Sequence, residues 1–118
     1  MDKPLSQYLD LNNPQNLQAY QSTGGYEGFK NALKMQPQEV QQRVSEAKLK
    51  GRGGAGFITG MKWSFVPMGE DASKSKYLVC NADEMEPGTF KDRWLMKGAP
   101  HLLIEGMMIA AYAIGADV

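Results

Sequence analysis

The sequence predicts an α/β protein in which N-terminal helices lead into an α/β domain with an incomplete sheet. Residues 14–47 carry helix-start and helix-period signals. The three central residues of Lys76–Cys80 are apolar without alternation, which is typical of a strand covered on both faces. Leu102–Ile114 is apolar on nearly every side, as in a buried helix. We therefore predict an N-terminal helical segment over residues 1–50 and the first part of an α/β domain over residues 51–118.

Three short helices are predicted in the N-terminal segment. The first covers Pro14–Gln21 and the second covers Tyr26–Lys34, because the intervening Ser-Thr-Gly-Gly breaks the pattern. The third has proline at its first position, Pro37. Its apolar residues fall at helical spacing on one face: Val40, Val44 and Ala47.

The second half of the chain places the predicted strand between helical segments. Lys62–Val66 is expected to form a short strand or the end of a short helix. After the strand at Lys76–Cys80, one helix is expected to end at Lys97 and the apolar helix to begin at Pro100. The strands that would pair with residues 76–80 are expected beyond Val118.

Composition argues against several classes of function. Thirteen basic side chains balance thirteen acidic ones, so neither nucleic acid nor an anionic membrane is indicated as a partner. The longest apolar run is shorter than the roughly 20 residues of a membrane span. The N-terminus lacks the apolar region of a signal peptide, which favours an intracellular protein. Cys80 cannot form a disulfide within these residues and is expected in the core, and His101, without partner residues, is expected to cap or pack.

The most informative segment is the glycine-rich loop that begins at Gly51. Five of its first ten residues are glycine, so its backbone can adopt positive φ and approach a ligand closely. Successive backbone N–H groups in such a loop can form an anion-binding nest, and Arg52 and Lys62 place positive charge at its two ends. The loop is predicted to cradle a phosphate, and a plain flexible connection is the alternative.

Two common nucleotide-binding motifs do not fit this loop. Gly51, Gly53 and Gly56 satisfy G-x-G-x-x-G. The dinucleotide-binding loop of a βαβ unit follows a strand, however, whereas a predicted helix precedes this one. The Walker pattern fails because no Gly-Lys-Ser/Thr stands at the required spacing.

Aromatic side chains surround the loop. Planar rings beside a phosphate cradle are what a stacked nicotinamide, adenine or flavin ring would use. Phe57, inside the glycine run, is expected to face a ligand, and Phe65 is a further candidate. Trp63 is expected in the core.

The predicted strand runs directly into an acidic turn. Asp83, Glu84 and Glu86 place three carboxylates within four residues, and Asn81 precedes them. Ligands of open α/β sheets lie beyond the carboxyl ends of the strands. Such a turn could bind Mg²⁺ or Ca²⁺, accept hydrogen bonds from ribose or ribityl hydroxyls, or be a solvated turn. Beside a phosphate loop, the hydroxyl-accepting role is favoured.

Two long motifs resemble the flavin subunit of respiratory complex I, known as the 51 kDa or F subunit of NADH-quinone oxidoreductases. They are the loop Gly51–Trp63 and the segment Tyr77–Arg93, with further matches at Pro100–Gly106 and Gly24–Glu27. The resemblance covers essentially the whole chain. Two long motifs in order are far more specific than G-x-G-x-x-G alone.

The resemblance implies a Rossmann-like FMN-binding α/β domain that holds FMN without a covalent bond. FMN receives a hydride from NADH and passes electrons singly to iron–sulfur clusters, and neither a catalytic side chain nor a metal ligand is implied in this chain. Phe57, Phe65 and Glu86 are implied to receive NADH. The full set of residues implied to contact FMN or NAD(H) is Gly51, Arg52, Gly53, Gly54, Ala55, Gly56, Phe57, Ile58, Thr59, Gly60, Lys62, Phe65, Asn81, Asp83, Glu84, Met85 and Glu86.

The chain departs from the family pattern in two residues and in length. Ile58 stands where many members have proline, and Met85 where many have serine. Members continue for several hundred residues, with a second flavin-contacting segment, a small β-grasp-like domain and a helical bundle that holds a [4Fe–4S] cluster. The resemblance therefore predicts a fragment that by itself binds FMN weakly or not at all.

The implied partners are other complex I subunits, chiefly the 24 kDa subunit (E) and the large iron–sulfur subunit (G). The implied location is cytoplasmic, on the inner face of the cytoplasmic membrane, without a membrane span in this chain. Two alternatives stay open. The chain could belong to the related flavin subunit of an NAD-linked hydrogenase or formate dehydrogenase, or to a non-catalytic module that binds an anion or another subunit through the helices of residues 14–47.

Overall fold

A computed structural model describes residues 3–72 and 75–118, and this part of the chain is helical. Residues 50 and 58 form an isolated antiparallel bridge, and no strand is assigned within the described ranges. The described elements, in chain order, are α1 (Leu17–Ser22), α2 (Glu27–Ala32), α3 (Pro37–Glu46), α4 (Thr59–Ser64), a 3-10 turn (Gly69–Asp71), α5 (Lys91–Gly98) and α6 (Pro100–Ile114).

Within those same residues, no helix combines the length and apolarity needed to cross a membrane.

The helix predictions that rest on local signals are confirmed. Helix α3 begins at Pro37, where the side chain of Glu39 accepts a hydrogen bond from the backbone N–H of Gln36 at 2.7 Å. Helix α6 begins at Pro100, as predicted. Helix α1 starts later than expected because Asn16 is its N-cap and accepts a hydrogen bond from the Ala19 N–H at 2.9 Å. Of the two predictions for residues 62–66, the helical one is correct, since α4 covers Thr59–Ser64.

The chain divides into two compact units. Unit 1 comprises the residues up to Phe29 together with Val79–Met108, and unit 2 comprises Lys30–Leu78 together with Ile109–Val118. The glycine loop belongs to unit 2 and the acidic turn belongs to unit 1. The predicted domain boundary at residue 50 stays a prediction.

Unit 2 has a small apolar core. Ala32, Val40 and Ala113 are buried. The partly buried residues packed against this cluster are Met35, Trp63, Ile109 and Tyr112. The core position predicted for Trp63 is therefore confirmed, and this packing places α4, directly after the glycine loop, against the helices of the unit.

Unit 1 is organised around one buried carboxylate. The side chain of Glu105 accepts hydrogen bonds from the Tyr20 hydroxyl, from the Tyr26 N–H at 2.9 Å and from the Phe29 N–H at 3.1 Å. Burial, followed by the hydrogen bond to Glu105, raises the pKa of Tyr20 and keeps its hydroxyl a neutral donor. His101 packs in the same cluster, as expected, with Nδ1 2.8 Å from the Tyr26 hydroxyl.

The strand predicted over Lys76–Cys80 is wrong for the described chain. Only a short pairing forms there, because the Leu78 N–H donates to the Val118 carbonyl at 2.8 Å and the Val118 N–H donates to the Lys76 carbonyl at 3.2 Å. These two bonds are the pattern of a parallel ladder at a single position. Without a longer partner, the rest of the segment is not covered: Val79 is 82% exposed and Cys80 is exposed rather than in the core.

Helix α6 is less enclosed than its sequence predicts. Ala110, Ala113 and Ile114 are buried, whereas Ile104 and Met108 are exposed. The prediction of burial on nearly every side is therefore wrong for this chain.

The end of α6 is fixed by local contacts. Gly115 has a φ of +65°, and the Ala116 N–H donates back to the Ala111 carbonyl at 2.9 Å, which is the hydrogen-bond pattern of a glycine C-cap. The Lys76 ammonium donates to the Ile114 carbonyl at 2.8 Å, where a cation also favours the helix dipole. These contacts bring residues 76–78 to the end of α6.

Candidate functional site

The glycine loop is a closed turn with fixed ends. The Gly51 N–H donates to the Phe57 carbonyl at 2.9 Å, and the Thr59 N–H donates to the Leu49 carbonyl at 2.8 Å. Gly54 and Gly56 have positive φ values of 139° and 62°, which side-chain-bearing residues rarely adopt. The glycine content therefore has a geometric reason, and the alternative of a plain flexible connection loses support because both ends of the loop are paired.

An open pocket of about 560 Å³ lies against this loop. Its volume is in the range of small-molecule and cofactor sites. A Cβ atom on Gly53, Gly54 or Gly56 would meet nothing within 4 Å, so the loop backbone is open to a ligand. The pocket is lined by Gly51, Gly53, Gly54, Ala55, Gly56, Phe57, Thr59, Lys62, Trp63, Val66, Leu78 and Ile114.

The structure brings eight of the predicted loop residues to this pocket. They are five of the first six residues of the loop together with Phe57, Thr59 and Lys62, and Lys62 is the cation among the described lining residues. Phe65 is 68% exposed, and its ring centroid lies 6.2 Å from that of Phe57. Arg52 and Ile58 are not among the lining residues. An ammonium beside open backbone and an aromatic ring can bind an anionic group attached to a planar one.

Gly60 has a packing role that does not depend on a ligand. It is buried at the start of α4, and a Cβ atom there would lie 2.5 Å from the Gln41 carbonyl oxygen and 2.5 Å from the Ser45 nitrogen. Only glycine lets α4 approach α3 this closely. The predicted contact of Gly60 with a cofactor is not needed to explain this glycine.

Four of the lining residues were not predicted to belong to the site. Trp63 and Val66 come from α4 and the turn after it, Leu78 from the short parallel pairing, and Ile114 from the end of α6. Leu78 and Ile114 lie 36 positions apart in the sequence. Their apolar character is the only sequence signal, and it does not identify a pocket.

The acidic turn in unit 1 has a defined backbone shape. The side-chain oxygen of Asn81 accepts a hydrogen bond from the Asp83 N–H at 3.1 Å. The Thr89 N–H donates to the Glu86 carbonyl at 3.1 Å. Pro87 and Gly88 are the central residues of that turn, and Gly88 has a φ of +82°, as a type II turn requires. Across residues 3–72 and 75–118, no group of three or more His, Cys, Asp and Glu side chains is placed to hold a metal ion.

The three carboxylates of the acidic turn differ in their surroundings. Glu84 has a side chain only 5% exposed and pairs with Arg93, with Oε2 3.3 Å from Arg93 Nε. The backbone N–H of Asp92 donates to Glu84 Oε1 at 2.7 Å and that of Arg93 to Oε2 at 3.2 Å. Asp83 and Glu86 are exposed. The exposed pair can therefore reach a ligand, whereas the Glu84 carboxylate is already used by α5.

These contacts predict a pH dependence. The hydrogen bond from the Asp92 N–H, followed by those from Arg93, lowers the pKa of Glu84 below its ordinary value of 4.5. A carboxyl group whose pKa is lowered in the folded state stabilises the fold at pH values above its ordinary pKa. That stabilisation is lost as the pH falls through the lowered pKa of the folded state. We expect a ¹³C NMR titration of the Glu84 carboxyl carbon to have its midpoint below 4.5.

Arg93→Ala is the control for this titration. It removes the guanidinium and keeps both backbone donors, so the midpoint should rise only part of the way to the ordinary value. A wild-type midpoint at or above 4.5 would contradict the observed contacts.

Comparison with known proteins gives a consistent result. Residues 44–118 match the Nuo51 FMN-binding domain family. The second F subunit of NADH-quinone oxidoreductase in Rhizobium meliloti is 58% identical over 102 residues, covering 86% of this chain and 24% of the relative. The F subunit of the Escherichia coli enzyme is 55% identical over 101 residues, covering 85% of this chain and 22% of the relative.

The corresponding F subunit of Streptomyces coelicolor is 52% identical over 110 residues, covering 93% of this chain and 24% of the relative. The chain thus spans less than a quarter of the length of these relatives. The matched residues contain both motifs on which the resemblance was based, namely the glycine loop and the acidic turn, so the resemblance is confirmed. The chain belongs to the Nuo51 FMN-binding domain family, found in the F subunit of NADH-quinone oxidoreductases.

Proposed function

We propose that this chain contributes the loop and turn that bind FMN and NADH in an NADH-quinone oxidoreductase of the complex I type. The observation that carries the proposal is the open pocket of about 560 Å³ against the glycine loop, with Lys62 and Phe57 among its lining residues. The chain belongs to an FMN-binding domain family, and the relatives are subunits of NADH-quinone oxidoreductases.

The chemistry of the lining residues fits FMN. Open glycine backbone and the Lys62 ammonium suit a phosphate group. The ring of Trp63 and the side chains of Val66 and Leu78 suit the planar isoalloxazine. When bound, FMN supplies hydride acceptance from NADH and single-electron transfer onward to iron–sulfur clusters.

The side chains of this chain then bind and orient rather than transfer protons. Lys62 and the loop backbone hold the phosphate-bearing part of the cofactor. Phe57 and Phe65, both exposed, offer ring faces to NADH, and Glu86 accepts hydrogen bonds from it. Hydride transfer depends mainly on alignment of the two rings, so no general acid or base is required from these residues.

We further propose that residues 76–78 and 116–118 begin the parallel sheet of a Rossmann-like α/β domain. The support is the parallel pairing between Leu78, Val118 and Lys76. With Cys80 as the single cysteine, a [4Fe–4S] cluster would take its ligands from other residues of the complex. The proposed partners are the 24 kDa subunit and the large iron–sulfur subunit, on the cytoplasmic face of the membrane.

The test is the substitution Lys62→Ala in the native complex that contains this sequence. We expect its dissociation constant for FMN to rise by about 10- to 100-fold, because a charge-assisted contact to the cofactor is lost. Bound flavin is measured by absorbance and by recovery of flavin fluorescence on release. NADH oxidation with ferricyanide as acceptor should fall in parallel with FMN content.

Lys50→Ala is the matched control. It removes the same charge next to the loop, but Lys50 is not among the residues lining the pocket. FMN content should stay within about twofold of wild type. A wild-type complex without flavin would overturn the proposed function. Equal FMN affinity in Lys62→Ala and wild type would show that Lys62 does not bind FMN.

A further inference from the structure

Glu84 caps the N-terminus of α5 across a turn of the chain. Helix α5 begins at Lys91, and its N-cap residue, Phe90, makes no side-chain capping bond. The second and third residues of the helix, Asp92 and Arg93, instead donate their backbone N–H groups to the two oxygens of Glu84. These are the amides that a capping side chain normally satisfies.

Arg93 adds a second connection to the same carboxylate. Its Nε lies 3.3 Å from Glu84 Oε2, the oxygen that also accepts the Arg93 backbone N–H. Every described contact of the Glu84 carboxylate is therefore to the first turn of α5. A carboxylate with three such donors has little capacity left for a ligand hydroxyl.

The residues next to Glu84 are exposed to solvent, unlike the Glu84 side chain. Asp83 and Glu86 are exposed, and Met85 is 81% exposed. Glu84 is thus the inward-facing residue of a turn whose other members remain accessible. Because the Glu84 side chain is hydrogen-bonded to α5, the backbone of the adjacent residues, Asp83 and Met85, is held in place.

We propose that Glu84 and Arg93 are positioning residues for the FMN and NADH site. They hold the acidic turn against α5 and keep the side chains of Asp83, Met85 and Glu86 accessible to a ligand. This inference rests on the proposed function. It replaces the expected direct contact between the Glu84 side chain and FMN, and it adds Arg93 to the residues on which the site depends.

Glu84→Gln is an informative substitution because it keeps the size of the side chain. The amide oxygen can still accept from the Asp92 N–H, but the amide NH₂ then faces the two donors of Arg93. Removing the Arg93 side chain relieves part of this donor-to-donor conflict. A direct flavin contact of Glu84 would not respond to Arg93 in this way.

The experiment measures FMN dissociation constants in the native complex for wild type, Glu84→Gln, Arg93→Ala and the double variant. We expect increases of about 10-fold for Glu84→Gln and about threefold for Arg93→Ala, with the double variant no weaker than Glu84→Gln alone. At saturating FMN, the KM for NADH should rise several-fold in Glu84→Gln while kcat stays within about twofold, because Glu86 is displaced.

Asp92→Asn is the matched control, since it removes a carboxylate from the same helical turn that pairs only with Lys91 among the described contacts. It should leave FMN affinity unchanged. Unchanged FMN affinity in Glu84→Gln would overturn the positioning role. So would a double variant whose increase in the FMN dissociation constant equals the product of the two single increases. Neither result would contradict the proposed function.

A wild-type complex that binds no FMN would overturn both proposals. If Glu84→Gln does not assemble, Arg93→Ala decides the matter because it keeps both backbone donors to Glu84. In that case, wild-type FMN affinity and a wild-type KM for NADH in Arg93→Ala would overturn the inference.

Discussion

Replacing Glu105 with alanine is expected to lower the free energy of unfolding by about 3–5 kcal/mol. The carboxylate is buried and accepts hydrogen bonds from the Tyr20 hydroxyl and from the backbone N–H groups of Tyr26 and Phe29. The substitution leaves these donors without an acceptor in a buried place, and each unsatisfied donor costs about 1–3 kcal/mol.

Glu105 also holds a strained residue in place. Tyr26 has a φ of +65°, a conformation that costs a non-glycine residue about 1–2 kcal/mol. Its N–H bond to Glu105 and its hydroxyl contact with His101 hold it there. Without Glu105, the start of α2 loses both its capping acceptor and the contact that maintains this strained residue.

Tyr20→Phe is the control for Glu105→Ala. It removes one donor and keeps the ring that stacks on His101 with centroids 5.6 Å apart, so the expected loss is about 1 kcal/mol. Urea unfolding of the purified protein, followed by circular dichroism, measures both values. Equal losses for the two substitutions would contradict a central role of the carboxylate, since Glu105 would then contribute no more than one hydrogen bond.

The contrast between predicted and observed structure follows from the range of the interactions. Helices α3 and α6 were predictable because proline at the first position, helical spacing and a C-terminal glycine act within a few residues. The contact between Tyr20 and Glu105 joins residues 85 positions apart. Its only sequence signal is a carboxylate inside an apolar helix, which indicates a buried partner without identifying it.

The candidate site was likewise predictable only where its residues are close together in the sequence. The glycine loop and Lys62 were predictable because they are contiguous and chemically distinctive. The strand at residues 76–80 was not, since a strand forms only where a partner pairs with it, and the described pairing reaches only Lys76 and Leu78. The sequence also did not predict that Glu84 is bonded while Asp83 and Glu86 are exposed. This difference depends on where α5 begins, not on the acidic turn itself.

Replacing Gly60 with alanine is the second substitution for which we expect a large effect, a loss of about 3 kcal/mol in the free energy of unfolding. The added Cβ would lie 2.5 Å from two backbone atoms of α3, the Gln41 carbonyl oxygen and the Ser45 nitrogen. Backbone atoms cannot turn aside as a side chain can. Helix α4 must therefore move away from α3, and Lys62, in the same helix, moves with it.

Gly106→Ala is the control, and it is expected to change the free energy of unfolding in the opposite direction. Gly106 lies inside α6, and a Cβ atom there would meet nothing within 4 Å. Alanine should therefore stabilise the helix by about 1 kcal/mol, because glycine loses more backbone entropy on folding. Urea unfolding compares the two variants, and a neutral Gly60→Ala would contradict close packing of α4 on α3. Since Gly60 contacts α3 while Lys62 lines the pocket, a loss of FMN from Gly60→Ala would reflect displacement of the loop and Lys62 rather than the loss of a direct ligand contact.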